Sequence, residues 1–128
     1  MPSKLTLQVL PEEFAITKLD AAAAEPEWVR GGPMTSVTRT ADELSIVCLA
    51  SQIPETMEAE RGFACVRVKG PLNFDLVGVL ASMVGPLAGA GISVFSVSTF
   101  DTDYLLLPNK DIENAIECLR VVGHSVQV

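Results

Sequence analysis

The sequence has few of the side chains that nucleic-acid-binding, metal-binding and catalytic sites use. Its 128 residues include one histidine, and nine lysines and arginines stand against sixteen aspartates and glutamates, for a net charge of −7. Because binding to phosphates needs a basic surface, we exclude nucleic acid as a partner. One histidine, His124, without a surrounding motif does not make a nucleophilic triad, so we predict that the protein is not an enzyme.

Cysteine is also scarce, and its spacing is uninformative for metal binding. Cys48, Cys65 and Cys118 are odd in number and far apart, and no C-x-x-C pair occurs. This pattern argues against a zinc site. We predict three reduced thiols buried in a cytoplasmic protein that carries no metal and no cofactor.

One long stretch without charge raises the question of a membrane span. Leu76–Phe100 lacks charged residues, but Gly85, Pro86, Gly89 and Gly91 interrupt it and no lysine or arginine flanks it. A helix, a turn and a buried strand explain the run better, so we expect no membrane partner. The start of the chain has no cationic segment before an apolar run, and no signal peptide is expected there.

What the sequence does contain is an internal repeat. Phe14–Leu19 is echoed by Phe63–Val68, and Ser36–Val47 is echoed by Ser96–Leu107. The spacing within the first copy is shorter by about eleven residues, or three turns of helix. We therefore predict an abbreviated module over residues 1–60 and a complete module over residues 61–128. A duplicated module without a catalytic constellation favours a binding protein.

Hydrophobic periodicity predicts the secondary structure of both modules. In the second module the predicted order is βαββαβ, which is the ferredoxin-like pattern. Pro86 is expected to kink or end the first helix, and Gly89 or Gly91 to supply a left-handed stop. The predicted strands cover residues 5–9, 14–19, 34–40, 44–50, 63–68, 92–99, 104–107 and 125–128, and the predicted helices cover 76–87 and 111–122.

The first two strands are predicted to form a hairpin across Pro11-Glu12-Glu13. The abbreviated module also lacks a closing fourth strand before Phe63. We therefore expect Leu5–Val9 to pair beside Phe14–Leu19 in the place of that strand.

Residues 91–107 carry a resemblance to a known family. The step Gly91-Ile92-Ser93-Val94 from helix to strand and the turn Ser98-Thr99-Phe100-Asp101-Thr102-Asp103 are similar to those of ACT domains. The closest likeness is to tandem ACT proteins related to aspartate kinase regulatory regions and to cytosolic arginine sensors. The resemblance implies an α+β fold of two tandem ferredoxin-like modules, with antiparallel sheets and helices on one face. It also implies a regulatory role, a small-molecule ligand and side-by-side pairing, here as a homodimer.

The resemblance further implies where a ligand would bind. In ACT domains the loop before the first helix and the facing strand form the effector site. This points to the loop residues Pro71, Leu72, Asn73, Phe74 and Asp75 and to the strand residues Ile92, Ser93, Val94 and Phe95. Gly70 would allow close approach of a ligand, and N–H groups at the helix start would favour a carboxylate. The alternative is that Asn73 or Asp75 only caps the helix.

Asp103 is implied as a ligand residue because related arginine sensors place an aspartate at this position. A carboxylate there would bind a guanidinium or ammonium group, which gives a slight preference for lysine or arginine. Asp101 and Asp103 can equally be read as solvated turn residues. Trp28 is interpreted as a packing anchor for its glycine- and proline-rich loop, with a lid over a ligand as the alternative.

Two functional hypotheses follow. The first is a cytoplasmic regulatory protein that binds an amino acid and acts on an enzyme that the sequence does not identify. The second is a ligand-free protein–protein interaction module that acts through its sheet edges. A pocket filled by Phe74, Phe95 or Tyr104 would favour the second hypothesis.

Overall fold

The computed structural model describes residues 4–73 and 75–128, which form two compact units. We call the described residues up to Pro11 together with Ala64–Val128 the helical unit, and Glu12–Phe63 the strand unit. The predicted α+β fold of tandem ferredoxin-like modules is confirmed. These two units differ from the predicted modules over residues 1–60 and 61–128, because the first strand of the chain belongs to the same unit as the later residues.

The helical unit contains five strands and two helices. Its first strand, β1, covers Thr6–Val9, and the later part of β5, Glu60–Val68, follows after the strand unit. From β5 onward the order is βαββαβ, as predicted. The remaining elements are α1 (Ala81–Gly89), β6 (Phe95–Ser98), β7 (Asp103–Pro108), α2 (Ile112–Val121) and β8 (Ser125–Gln127).

The sheet of the helical unit has the strand order β8-β1-β5-β7-β6. Strand β1 runs parallel to β8, with Leu7 opposite Val126, and antiparallel to β5, with Leu7 opposite Val68. A ferredoxin-like module ordinarily has its fourth strand beside its first. Here β1 stands between them, so β8 lies one place further out.

The strand unit is built from three further strands and the beginning of β5. Strands β2 (Phe14–Leu19), β3 (Ser36–Arg39) and β4 (Leu44–Leu49) join β5 in the order β3-β4-β2-β5. Between residues 12 and 63 the structure contains no α-helix, only a 3₁₀ turn over Ala50–Gln52. The abbreviation of this module therefore removes both of its helices and not the first alone.

The predicted hairpin of the first two strands is wrong, and so is the predicted substitute for the missing fourth strand. Strand β1 pairs with β5 and β8, while β2 pairs with β4 and β5. The fourth strand of the strand unit is the beginning of β5, where Phe63 lies opposite Phe14 and Glu60 opposite Ile16. One long strand thus closes the first module and opens the second.

The core of the helical unit lies between its helices and one face of its sheet. Met83 and Leu87 of α1 and Ala115 and Leu119 of α2 are fully buried there. Alternate strand residues, whose side chains point to the same face, complete the core: Leu7, Val66, Val68, Leu105, Leu107 and Val126. Both helices therefore cover the same face, as predicted.

The core of the strand unit is smaller and relies on a loop. Ala15, Leu44, Ile46 and Cys48 are buried in it, and Trp28 packs against it from the loop between β2 and β3. The side-chain amide of Gln52 holds this loop, because its Nε2 donates to the carbonyls of Trp28 and Arg30. These contacts support the interpretation of Trp28 as a packing anchor.

The first helix differs from its predicted bounds at both ends. Residues 75–80 form turns, and Gly78 has a φ of 83°, a left-handed conformation that interrupts a helix, so α1 starts only at Ala81. Val77, predicted within the helix, is 87% exposed. Pro86 lies inside α1 and does not end it. The helix stops at Gly89, and Gly91 with a φ of 76° takes the left-handed position that was predicted for one of these glycines.

Pro86 leaves a carbonyl in α1 without its helical partner. In an α-helix the N–H of residue 86 would donate to the carbonyl of Ser82, but proline has no N–H. The imidazole Nε2 of His124 lies 3.1 Å from that oxygen and replaces the missing donor. In the part of the chain that the structure describes, no helix is long and apolar enough to cross a membrane.

Candidate functional site

A hydrogen bond joins the loop that follows β5 to the turn between β6 and β7. The N–H of Leu72 donates to the carbonyl of Asp101 over 2.7 Å. The hydroxyl of Thr102 donates to the carbonyl of Val68 over 2.6 Å and ties the same turn to the end of β5. The loop and the turn are therefore held at a fixed distance by groups of the protein itself.

A cleft of about 200 Å³ opens between the loop and the turn. The volume lies below the several hundred Å³ of drug-sized pockets and suits a ligand with few atoms. Among the lining residues the charged side chains are two aspartates, with no lysine or arginine. The lining residues are Leu72, Asn73, Leu76, Val79, Ser98, Thr99, Phe100, Asp101, Thr102 and Asp103.

The hydroxyl group of Ser98 orients one carboxylate of the turn, and further hydrogen bonds hold the turn itself. Ser98 Oγ donates to Asp103 Oδ1 over 2.5 Å. The N–H of Thr99 donates to the carbonyl of Thr102, and the N–H of Thr102 donates back to Thr99 Oγ1. One oxygen of Asp103 is thus bound by Ser98, which orients the carboxylate at the cleft.

Part of the predicted site comes together at this cleft. Leu72, Asn73 and Asp103 line it, whereas Pro71 and Asp75 belong to the same loop without being among the lining residues. Phe74 lies outside the described residues. Asn73 also stabilises its own turn, because its carbonyl accepts from the N–H of Leu76 and its Oδ1 lies 3.5 Å from the N of Asp75. Asn73 therefore fits the capping interpretation and lines the cleft as well.

The predicted residues of the facing strand lie elsewhere. Ile92 is buried in the core of the helical unit, and Val94 packs against that core. Ser93 is exposed, and Phe95 opens β6, the strand whose other end, Ser98, lines the cleft. These four residues do not line the cleft, and their part in binding stays a prediction.

The sequence-based reasoning missed several lining residues. Leu76 and Val79 lie within the predicted helix 76–87, which in the structure begins at Ala81 and leaves both residues at the cleft. Ser98, Thr99 and Thr102 were noted only as part of a turn motif. The high density of hydroxyl groups beside two aspartates is the signal that could have identified them.

Two wider clefts lie on other surfaces. A cleft of about 620 Å³ in the strand unit carries Glu12, Glu13, Glu55 and Arg61, and the Arg61 guanidinium already binds the carbonyls of Ala50, Pro54 and Met57. A shallow one of about 660 Å³ runs along α2. The cleft at Asp103 differs from both, because loop and turn converge on it with an oriented carboxylate.

The thiols and the acidic groups show no arrangement for metal binding. Within residues 4–73 and 75–128, no group of three or more histidines, cysteines, aspartates or glutamates could hold a metal ion. The three cysteines are free of disulfide bonds. Burial raises the pKa of the Cys48 thiol above its ordinary value, and the nearby Arg61 guanidinium opposes this rise.

Comparison with family models assigns both parts of the chain. The model of the ACT domain matches residues 58–121, and a second model, described as an N-terminal domain, matches residues 12–56. The boundary between the two matches falls at the beginning of β5. The ACT match covers half of the chain and includes every residue that lines the cleft.

Individual relatives agree with the family match. Over 56 residues the chain is 46% identical to the cytosolic arginine sensor for mTORC1 subunit 1 of Homo sapiens, a stretch that makes up 43% of this chain and 17% of the sensor. The protein Atu0741 of Agrobacterium tumefaciens has a solved structure that covers 97% of this chain, with 92% of its own chain covered, a TM-score of 0.91 and 41% identity.

A more distant structure shows the same fold. The regulatory subunit of aspartate kinase from Thermus flavus matches 94% of this chain and 99% of its own, with a TM-score of 0.65 and 12% identity. This similarity concerns the fold alone. The match of the ACT domain model over half of the chain establishes that the chain belongs to the ACT domain family.

Proposed function

We propose that the protein is a non-catalytic regulatory protein that binds a free amino acid in the cleft between the loop after β5 and the β6–β7 turn. We further propose a preference for a cationic amino acid, lysine or arginine. The observation that carries this proposal is the pair Asp101 and Asp103, which supplies the only charged side chains among the described lining residues. A guanidinium or ammonium group would bind there through charge-assisted hydrogen bonds.

The relatives support a regulatory role. The name of one describes a cytosolic arginine sensor, and that of another a regulatory subunit of aspartate kinase. The chain spans about a sixth of the length of the arginine sensors that it matches. The ligand and the partners of those proteins are therefore a starting point for experiments on this chain.

The orientation of the ligand follows from which groups of the cleft are already bound. The N–H groups of Leu72 and Leu76 donate to backbone carbonyls of Asp101 and Asn73. The N–H groups of Ser82, Met83 and Val84 at the start of α1 also donate to backbone carbonyls, those of Gly78 and Leu80. Because Asp101 and Asp103 would repel the carboxylate of the ligand, we propose that it lies toward Val79. The side chain of the ligand would then extend toward Asp103. The predicted contacts of Pro71, Phe74, Asp75, Ile92, Ser93, Val94 and Phe95 remain part of this proposal.

Calorimetric titration with each of the twenty amino acids tests the proposal. A cationic amino acid should bind more tightly than its neutral analogues. Substitution Asp103→Asn should weaken its affinity by about tenfold, the effect of losing one charge-assisted bond, and should affect neutral amino acids less. Glu113→Gln is the matched control, because it removes the same charge from an exposed position on α2. Absence of binding by every amino acid would refute the proposal.

The second hypothesis, a ligand-free interaction module, has a weaker basis. Among the described strands β6 pairs only with β7, so it offers a free edge to a partner. Phe95 and Tyr104 are not among the residues that line the cleft, so neither of them fills it, which favours a ligand.

We propose that the protein is a cytoplasmic homodimer acting on an enzyme still to be identified. Sedimentation with and without the bound amino acid tests the dimer.

A further inference from the structure

We infer that His124 is a positioning residue for the cleft and that it acts only as a neutral imidazole, so that proton uptake by His124 weakens ligand binding. This inference rests on the proposed function for its effect on binding. The hydrogen-bond network on which it is built does not depend on a ligand.

The two ring nitrogens of His124 have different partners. The residue is 6% exposed, and it follows α2 directly before β8. Its Nδ1 accepts a hydrogen bond from the N–H of Leu5 over 3.1 Å, and its Nε2 lies 3.1 Å from the carbonyl oxygen of Ser82. A nitrogen that accepts from an N–H carries no proton, so the proton of the neutral ring lies on Nε2.

The bond to Ser82 exists because of Pro86. A residue with an N–H at position 86 would satisfy the Ser82 carbonyl within α1, and the imidazole would then compete with a helical bond. Proline leaves this carbonyl available inside the protein, where an unsatisfied acceptor is costly. His124 thereby connects α1 to Leu5, the residue directly before β1.

Ser82 connects this network to the wall of the cleft. Its hydroxyl donates to the carbonyl of Val79 over 2.7 Å, and its N–H donates to the carbonyl of Gly78 over 3.0 Å. Val79 lines the cleft. The path from His124 to the ligand is therefore two hydrogen bonds long, through Ser82 to Val79.

A second proton on His124 is incompatible with the bond from Leu5, whereas Nε2 can still donate to the Ser82 carbonyl. An imidazolium has N–H groups on both nitrogens, so Nδ1 would face the N–H of Leu5 as a second donor. Lys4 donates to the carbonyl of Val122 and Arg120 to that of Val126, so two cations lie on the segments next to His124. Strands β1 and β8 and helix α1 carry no charged side chain, and the two carboxylates of α2, Glu113 and Glu117, are exposed. The partners of both ring nitrogens are backbone groups and offer no compensation for a positive imidazole. Protonation is therefore expected to break the bond to Leu5 and to move the ring away from that N–H, and the shift of the ring changes the position of its Nε2 donor at the Ser82 carbonyl.

The tautomer can be tested on the wild-type protein. At about pH 8, nitrogen-15 NMR of the imidazole should show a protonated Nε2 and an unprotonated Nδ1. Backbone amide resonances of residues 79–82 should shift as the pH falls to about 5.5. In a His124→Gln variant, whose amide keeps a donor and an acceptor but does not titrate in this range, those resonances should stay in place. A proton on Nδ1, or equal shifts in both proteins, would overturn the inference.

Binding gives the second readout, with L-arginine as the probe. Between about pH 8 and about pH 5.5 the wild-type protein should lose about three- to tenfold more affinity than His124→Gln, the effect of one hydrogen bond. Equal losses in both proteins would contradict the positioning role. If L-arginine does not bind at all, the proposed function fails, while the amide shifts still decide whether His124 acts on residues 79–82.

Pro86→Ala provides a test that keeps the histidine. The restored N–H of residue 86 would donate to the Ser82 carbonyl, so the shifts of residues 79–82 with pH should become smaller than in the wild-type protein. This variant also serves if His124→Gln fails to fold. Shifts as large as those of the wild-type protein would show that the Ser82 carbonyl does not transmit the change.

Discussion

A β-carbon on Gly70 would stand 3.1 Å from the carbonyl oxygen of Asp101 and 3.3 Å from Cβ of Thr102. At residue 70 the loop after β5 and the β6–β7 turn lie so close together that a side chain there would press against the turn. The sequence pattern suggested that Gly70 makes room for a ligand. In the structure it makes room for the turn that forms the other side of the cleft.

Gly70→Ala should therefore separate the loop from the turn. We expect the free energy of unfolding to fall by about 1–2 kcal/mol, and the affinity for the amino acid to fall with it. Urea unfolding and calorimetric titration measure the two effects. Gly85→Ala is the control, because a β-carbon there meets no atom within 4 Å inside α1 and should raise stability by up to about 1 kcal/mol. A Gly70→Ala protein with wild-type stability and affinity would show that the contact is easily relieved.

Ser98→Ala should affect binding more than stability. The hydroxyl of Ser98 orients the Asp103 carboxylate at the edge of the sheet, where water can replace the lost bond. We expect the affinity for a cationic amino acid to fall about three- to tenfold with a small change in unfolding free energy. Ser96→Ala removes a hydroxyl from an exposed position of the same strand, outside the lining of the cleft, and should leave both quantities unchanged. Unchanged affinity in Ser98→Ala would mean that Asp103 needs no orientation or takes no part in binding.

Gly123→Ala should destabilise the end of α2. Gly123 has a φ of 103°, a conformation that residues with a β-carbon rarely adopt, and the side chain of Lys4 occupies the place of that β-carbon. We expect a loss of about 1–3 kcal/mol in unfolding free energy. Thermal or urea unfolding measures it, with Gly89→Ala as the unstrained control. If adding Lys4→Met restored wild-type stability, the clash with the lysine and not the backbone would be the cause.

The Cys48 thiol should make the protein sensitive to alkali. Burial raises its pKa in the folded protein, so the folded state holds the thiol proton at a pH where the unfolded chain loses it. This contribution to stability is complete below the ordinary thiol pKa and is lost as the pH rises through the raised value. Between about pH 8 and about pH 10.5 the wild-type protein should lose more unfolding free energy than Cys48→Ala does. Equal slopes in the two proteins would contradict the prediction.

Elements with a strong local pattern could be predicted from the sequence. The strand Tyr104–Leu107 and the helix before Gly123 appear with nearly the predicted bounds, because hydrophobic periodicity and a left-handed glycine are local signals. The start of α1 could not be predicted in this way. The apolar residues Leu76 and Val77 continue the helical spacing, but Gly78 has a left-handed backbone conformation that interrupts a helix.

Partners far apart in the sequence were harder to predict. Strand β1 ends only a few residues before β2, which suggested a hairpin, yet the N–H of Leu10 donates to the carbonyl of Cys65. A strand of four or five residues specifies its faces by alternation but not its neighbour. The contact of His124 with Ser82 was equally hard to predict, because the two residues are forty-two positions apart. It also depends on Pro86, which leaves the Ser82 carbonyl without its helical donor.

The candidate site was predicted in part through the resemblance to ACT domains. The family pattern pointed to Leu72 and Asn73 in the loop before the first helix and to Asp103 in the turn, and these three residues share the cleft. It did not identify Ser98 or Thr99, whose hydroxyl groups become relevant only when the turn folds beside the loop. The residue types in the sequence were therefore enough to predict an acidic site, but not enough to predict the hydroxyl side chains that line it.

The parallel pairing of β1 with β8 also has a mechanical consequence. Thr6 lies opposite Ser125 and Gln8 opposite Gln127. The start of β1 and the end of β8 therefore lie at opposite ends of this strand pair. A pulling force applied at Lys4 and Val128 would act along both strands and load their hydrogen bonds simultaneously in shear. We expect a higher unfolding force when the helical unit is pulled at these two points than when it is pulled from a loop, where the strands would separate one hydrogen bond at a time. Single-molecule pulling from different attachment points would measure this difference.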